Sequence, residues 1–223
     1  MTERATSYMV ARDFNRSRGC LSVSLNIEPL KSALADNARF LRSWVENPRG
    51  VGAVSPSGPM LARAMASYVD LSRPGPVVEL GPGTGPVTQA LLEHGVPASR
   101  LLLVEYEARF CDLLRQRFPG VQVVQGDAYS LKQTLDGKVE GPISTVVSSL
   151  PLLNQPESDR LRLLDQAFDM MAPGGILIQF TYGLFSPMPL KRHPNSSSFS
   201  AVGSQVWANI PPARVWRYSR RAG

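Results

Sequence analysis

Cysteine and histidine are scarce in this chain, with two of each among 223 residues. Cys20 and Cys111 lie far apart, and Cys111 falls inside an expected helix, so free thiols in a reducing compartment fit better than a disulfide framework. With His94 and His193 the only histidines, a histidine-built metal centre is not expected. No apolar run approaches the length of a membrane-spanning helix, and the first residues lack the apolar centre of a secretory signal. The sequence therefore reads as cytoplasmic. Acidic residues are missing altogether from positions 183–223, which hold six basic side chains.

That last absence shapes the charge map. Residues 1–50 carry eight basic against five acidic side chains, whereas residues 51–182 carry ten against thirteen. The net charge of +6 thus comes entirely from the two ends. Basic flanks around an acidic centre suit attraction to a polyanion, either nucleic acid or an anionic membrane. The length suits one α/β domain with a well-buried core and an N-terminal extension, not two domains of ordinary size.

What the chain does have is concentrated between Val77 and Gly85, which read Val-Val-Glu-Leu-Gly-Pro-Gly-Thr-Gly. An apolar strand passes through Glu79 into Gly81, Pro82, Gly83, Thr84 and Gly85, with glycines at alternate positions. Glycine permits positive φ and removes the Cβ, so a ligand can sit against the backbone where strand becomes helix. A dinucleotide turn uses Gly-x-Gly-x-x-Gly to hold a pyrophosphate; Gly-x-Gly-x-Gly after a glutamate is the pattern expected for S-adenosylmethionine, which has no phosphate.

The following segments extend the pattern. Val87 to His94 reads as a crossover helix stopped by Gly95 and Pro97. Leu101 to Val104 is a buried strand ending in Glu105, placed to accept from the ribose hydroxyls, with Tyr106 beside the adenine. A helix over Ala108 to Phe118 and a strand over Val121 to Gln125 lead to Gly126, Asp127 and Ala128. Asp127 is placed to accept from the adenine amine, to cap the short helix after it, or both. The fourth strand, Ile143 to Leu150, ends in Ser148-Ser149-Leu150-Pro151-Leu152 at the carboxyl edge of the sheet, where the methyl acceptor is expected. A helix from Glu157 to Met171 is expected to stop at Pro173-Gly174-Gly175, before a fifth strand over Ile176 to Tyr182. Val202 to Asn209 and Val215 to Tyr218 read as a hairpin with Pro211 and Pro212 in its connection. The fold expected over residues 50–223 is a single Rossmann-like α/β domain with a mostly parallel sheet and a C-terminal β-hairpin.

Ahead of it, residues 25–49 form an expected amphipathic helix. Ile27, Leu30, Leu34, Ala38, Leu41, Trp44 and Val45 recur at intervals of three and four, with Lys31, Arg39 and Arg42 between them. Such a stripe either packs on its own domain or lies in a lipid headgroup layer over the site. Residues 1–24 are polar and aperiodic, and read as disordered or as a start-site extension.

Taken together, the glycine turn, Leu103-Val104-Glu105-Tyr106, Gln125-Gly126-Asp127-Ala128 and Val147-Ser148-Ser149-Leu150-Pro151-Leu152 make the chain resemble bacterial phospholipid N-methyltransferases of the soluble rhizobial type. These are similar to rRNA adenine dimethyltransferases in the cofactor half. The resemblance runs from about Leu25 to Tyr218 and implies methylation of phosphatidylethanolamine towards phosphatidylcholine at the inner face of a membrane, with S-adenosylmethionine as cofactor and neither metal nor nucleic acid as partner. Enzymes that methylate planar amines commonly place Asn or Asp, then Pro-Pro and an aromatic, after the fourth strand; Ser148 to Leu152 supply neither the carboxamide nor the stacking ring. An aliphatic amine needs in-line placement, a proton acceptor and tolerance of a cationic nitrogen. Ser148 and Leu150 at this edge, and Tyr182 at the end of the fifth strand, are the residues expected at the amine; Tyr182 serves as phenol or cation-π face, or is simply a rim aromatic. Lys191, Arg192 and His193, in a loop from Ser186 to Ser200, meet the lipid phosphate or remain a solvated loop.

Overall fold

The structure, a computed structural model, describes residues 58–209 and 211–221; the expected extension over 1–24 and amphipathic helix over 25–49 lie outside them. The described part opens with α1 (Pro59–Ala66), which the sequence reading did not pick out. Its signal was Pro59 at the first helical position, ahead of Leu61, Ala62, Met65 and Ala66, all buried.

Parallel strands and crossover helices then alternate: β1 (Val77–Leu80), α2 (Pro86–His94), β2 (Leu101–Glu105), α3 (Ala108–Arg117), β3 (Gln122–Gln125), α4 (Leu131–Thr134), β4 (Ile143–Ser148), α5 (Glu157–Met170) and β5 (Met171–Thr181). The hairpin β6 (Phe199–Val206) and β7 (Ala213–Arg220) completes one seven-stranded sheet in the order β3-β2-β1-β4-β5-β7-β6. The last strand, β7, inserts antiparallel between β5 and β6. The expected Rossmann-like sheet with a terminal hairpin is therefore what forms, its first hairpin strand beginning earlier, at Phe199, and its second extended at both ends to Ala213 and Arg220.

β1 and β2 are buried along their whole length because both faces of the central strands are covered. On one face Val77, Leu101, Leu103, Val147 and Ile178 pack with α1 and α2. On the other, Val78, Leu80, Val104 and Leu177 pack with α4, α5 and the segment around Met188.

Two expectations need correction. Pro173-Gly174-Gly175 does not end the preceding helix, which stops at Met170; the three residues lie inside β5. Met171 pairs with Ile143, and pairing resumes at Ile176 with Thr145, so the intervening residues bulge. Arg73 Nη2 donates to the Pro173 carbonyl at 2.6 Å and holds the bulge. The segment from Ser186 to Ser200 is not a solvated loop either. Met188 and His193 are buried, and His193 Nε2 lies 2.9 Å from Asp165 Oδ1 with its ring edge-on to Phe199.

The glycine turn is locked from behind. Gly85 has φ +85°, and a Cβ built there would stand 2.4 Å from the Phe118 ring. Gly85→Ala is expected to cost about 2 kcal/mol through strain and overpacking together, read as a lowered denaturation midpoint with the urea m-value unchanged.

Candidate functional site

All five parallel strands point their carboxyl ends to one edge, and the turns there bring the expected cofactor residues together. Register fixes the assembly: Leu80 lies beside Val104 and Ser148, Ser148 beside Gln179, and Glu105 beside Gln125.

Glu105 ties the turn to the second strand. Its Oε2 accepts from Gly83 N–H at 3.0 Å and its Oε1 accepts from Glu107 N–H at 3.0 Å. Each carboxylate oxygen keeps acceptor capacity beyond these bonds. Around it the turn closes through Gly85 N–H to the Pro82 carbonyl at 2.9 Å, and Arg117 Nη1 donates to the Thr84 carbonyl at 2.7 Å. Gly83 has φ +58° and nothing within 4 Å of where its Cβ would be, so the turn opens there onto free space. Tyr106, just past Glu105, is 71% exposed. At Gly81, by contrast, Leu150 Cδ2 would stand 2.8 Å from a Cβ, which puts the Leu150 side chain directly against the turn.

Beneath the turn lies Glu79, fully buried, on the strand face that alternation would give to an apolar residue. Thr88 on α2 donates its hydroxyl to Glu79 Oε2 at 2.7 Å, while Oε1 has no partner. Burial pushes this carboxyl up to about 8, with Thr88 opposing and the charge of Glu105 adding to the rise. An unpaired buried acceptor beside a second carboxylate suits a cationic ligand group. The open space at Gly83, the spare capacity of Glu105 and the unpaired Glu79 oxygen together fit S-adenosylmethionine, whose sulfur and α-amine are both positive.

Past β3, Asp127 Oδ1 accepts from Tyr129 N–H at 2.8 Å and Oδ2 from the Ser130 hydroxyl at 3.1 Å. The capping role is thus realised, with one lone pair on each oxygen left for an adenine amine. Gly126 is required by crowding: a Cβ would lie 2.4 Å from Thr134 Cγ2. Ala128 is buried against the α4–α5 face.

On the acceptor side the picture changes. Ser148 is fully buried, and its hydroxyl accepts from Leu150 N–H at 3.4 Å, so it does not reach a substrate while that turn holds. The Tyr182 hydroxyl is buried beside Asn209, without a hydrogen bond of normal geometry, and its ring packs edge-on to Phe180 at 5.6 Å between centroids. Burial pushes the phenol up to about 12. Neither hydroxyl is therefore free to meet an amine in this arrangement, and of the two expected uses of Tyr182 the phenol is the one its burial opposes. Arg192 forms an ion pair with Glu157 at the start of α5, while Lys191 beside it is exposed.

Sequence reasoning missed Gln179. This fully enclosed carboxamide donates through Nε2 to the Leu150 carbonyl at 3.0 Å and to the Phe180 carbonyl at 2.8 Å. It fixes the Ser149-Leu150-Pro151 turn over the site. The signal was present as one glutamine interrupting the apolar run Ile176-Leu177-Ile178-Gln179-Phe180.

Two outcomes follow from the carboxylates. Glu105→Ala is expected to weaken S-adenosylhomocysteine binding by about 2 kcal/mol, roughly thirtyfold, in a calorimetric titration, through the loss of charge-assisted bonds. For Glu79, the folded chain keeps a proton between its ordinary value of 4.5 and about 8 that the unfolded chain has released. Stability contributed by that group is accordingly complete below pH 4.5 and lost as pH rises to 8. Glu79→Gln imitates the protonated form. It should raise the apoprotein Tm at pH 8 by a few degrees, about 1 kcal/mol or more, flatten the pH dependence and weaken cofactor binding.

Comparison with known proteins agrees with this geometry. Residues 77–175 match a methyltransferase domain model. The chain is 31% identical to an ornithine lipid N-methyltransferase of Singulisphaera acidiphila over 64% of this chain and 76% of that protein. A ribosomal RNA small subunit methyltransferase A of Synechococcus is 38% identical over 40% of this chain but 30% of that protein. Among solved structures, an O-methyltransferase from Bacillus cereus in complex with S-adenosylhomocysteine superposes with a TM-score of 0.59 at 14% identity, covering 86% of this chain and 97% of that one, and so shares the fold. The sheet order, the glycine turn and the match to most of a lipid N-methyltransferase converge: this chain belongs to the S-adenosylmethionine-dependent methyltransferase family that includes the Singulisphaera protein.

Proposed function

We propose that the protein transfers a methyl group to the aliphatic amine of a lipid headgroup, with phosphatidylethanolamine and its methylated intermediates as substrates, at the inner surface of a membrane. The observation that carries this reading is the Ser148 to Leu152 segment. It lies over Gly81 at the acceptor end and offers an aliphatic side chain where nucleobase enzymes hold a planar amine. The kinship with an ornithine lipid N-methyltransferase supports a lipid amine in general. Among the described residues no helix is long and apolar enough to cross a membrane.

The chemistry divides simply. Bound S-adenosylmethionine supplies an electrophilic methyl on a cationic sulfur. Glu105, Asp127 and the Gly81–Gly85 turn hold and orient it, Glu79 offsets its charge, and Leu150 with the Gln179-braced turn shapes the approach of the amine. With Ser148 and Tyr182 both turned inward, no protein base is required: an amine is a good nucleophile once its proton has passed to water at the open edge. Tyr182 then contributes its ring, as packing or as a face to the cationic nitrogen.

Ribosomal RNA remains the competing acceptor, because cofactor-half similarity extends to rRNA methyltransferases. Incubation with labelled cofactor should mark phosphatidylethanolamine in vesicles and leave protein-free rRNA unmarked; labelled RNA with unlabelled lipid overturns the proposal. An ornithine lipid carries an amine and no phosphodiester. If Lys191 or Arg192 meets the phosphate, changing both to Ala should raise KM about tenfold for phosphatidylethanolamine and leave ornithine lipid unaffected. Tyr182→Phe should keep kcat within about threefold, whereas loss of a general base costs about a hundredfold or more.

A further inference from the structure

Exposed apolar side chains are unevenly placed on this protein. The three most exposed among the described residues are all aromatic: Trp207 at 77%, Tyr106 at 71% and Phe185 at 69%. Tyr106 follows β2, Phe185 follows β5 and Trp207 follows β6, which runs parallel to β5 because both are antiparallel to β7. All three therefore stand at the strand edge that carries the site. Tyr106 lies beside Glu105 and belongs to the cofactor half. Phe185 and Trp207, with Leu184 and the exposed Leu153 after β4, surround the acceptor half.

Slack in the backbone does not account for this. Gly183 N–H donates to Thr181 Oγ1 at 3.0 Å, Arg214 Nη1 donates to the Leu184 carbonyl at 2.9 Å, and the Ser186 hydroxyl bonds the Tyr218 hydroxyl at 2.7 Å. The connection is pinned before, within and after Leu184-Phe185, and it still presents both side chains outward. Single exposed apolar residues are ordinary, but the largest and most exposed of them here gather at one edge, around the site. Their arrangement selects the partner: single side chains stand on separate turns after three different strands, which suits a deformable phase better than a partner with a fixed groove. Tryptophan and phenylalanine favour the boundary between hydrocarbon and water. Arg214, paired with Thr181 at the end of β5, stands at the same edge, where a cation adds attraction to anionic headgroups.

We propose that this rim, Leu153, Leu184, Phe185 and Trp207, inserts into the headgroup layer of an anionic bilayer and seats the mouth of the site on the membrane. A lipid amine then reaches the cofactor without its acyl chains leaving the bilayer. The inference rests on the lipid-substrate reading and adds to it the face of the domain that docks.

The full chain with Trp44→Phe keeps Trp207 and the strand residue Trp216, and the rim is read as the part of its emission lost when Trp207 is also replaced. On vesicles of phosphatidylethanolamine and phosphatidylglycerol, its emission should shift to the blue and be quenched by bromine-labelled acyl chains, and both effects should vanish when Trp207→Phe is added. The double variant Phe185→Ser, Trp207→Ser should lose at least tenfold in vesicle affinity, keep wild-type Tm and cofactor affinity, and methylate a water-soluble short-chain phosphatidylethanolamine at the wild-type rate. Unquenched Trp207, or vesicle binding unchanged in the double variant, overturns the rim. So does joint loss of Tm and cofactor affinity, which identifies a surface covered by the chain itself, or dissociation of an oligomer in the double variant, which identifies a second copy. If Trp207 is quenched yet no amino lipid is methylated in any form, the rim stands and the substrate reading fails.

Discussion

The pair of amide bonds gathered by the Glu105 carboxylate is the constraint on which the site depends. One comes from Gly83 in the turn after the first strand, the other from Glu107 after the second. A single side chain thereby sets the separation of two connections that have no ladder between them. Because an ionised acceptor makes stronger bonds than a neutral one, the turn is organised before any ligand arrives. Its glycines then have a defined shape to adopt, and Phe118 behind Gly85 leaves that shape little alternative.

Glu79 works in the opposite sense. Placing a carboxyl in the layer between sheet and α2 leaves one oxygen unpaired and favours the neutral form. Thr88 offsets part of that loss, and the neighbouring Glu105 charge increases it. Ligand-free protein thus carries a local electrostatic frustration directly under its binding turn. Such conflicts between folding and the surrounding chemistry are where function departs from stability.

Most of the cofactor half was legible in the sequence because its signals are local. A glycine at positive φ, a buried apolar run and an acid at a strand end each act within a few residues, so Val77 to Gly85 and Leu101 to Glu105 could be placed by reading along the chain. The acceptor half depends on contacts between distant segments. Tyr182 is turned inward by packing against Phe180 and the core beyond it, and the bulge at Pro173-Gly174-Gly175 is held by Arg73, a hundred residues away. The Ser186 to Ser200 segment looked like a loop by composition, yet Met188 and His193 anchor it from within. Gln179 was visible as an interruption in an apolar strand, but its partner, the Leu150 carbonyl, was not.

The insertion of β7 between β5 and β6 has a consequence for the order of assembly. Until residues 213–220 arrive, β5 presents an unpaired edge of apolar residues, the kind of edge that pairs with other chains. The bonds that close the glycine turn, Gly83 to Glu105 and Gly85 to Pro82, involve no residue of that segment, so the half that grips the cofactor can begin to consolidate while synthesis continues. The half that faces the acceptor is finished only once β7 has emerged. Early cofactor capture would therefore act as a folding aid, stabilising the nascent sheet by mass action during the interval in which its open side is most prone to aggregate.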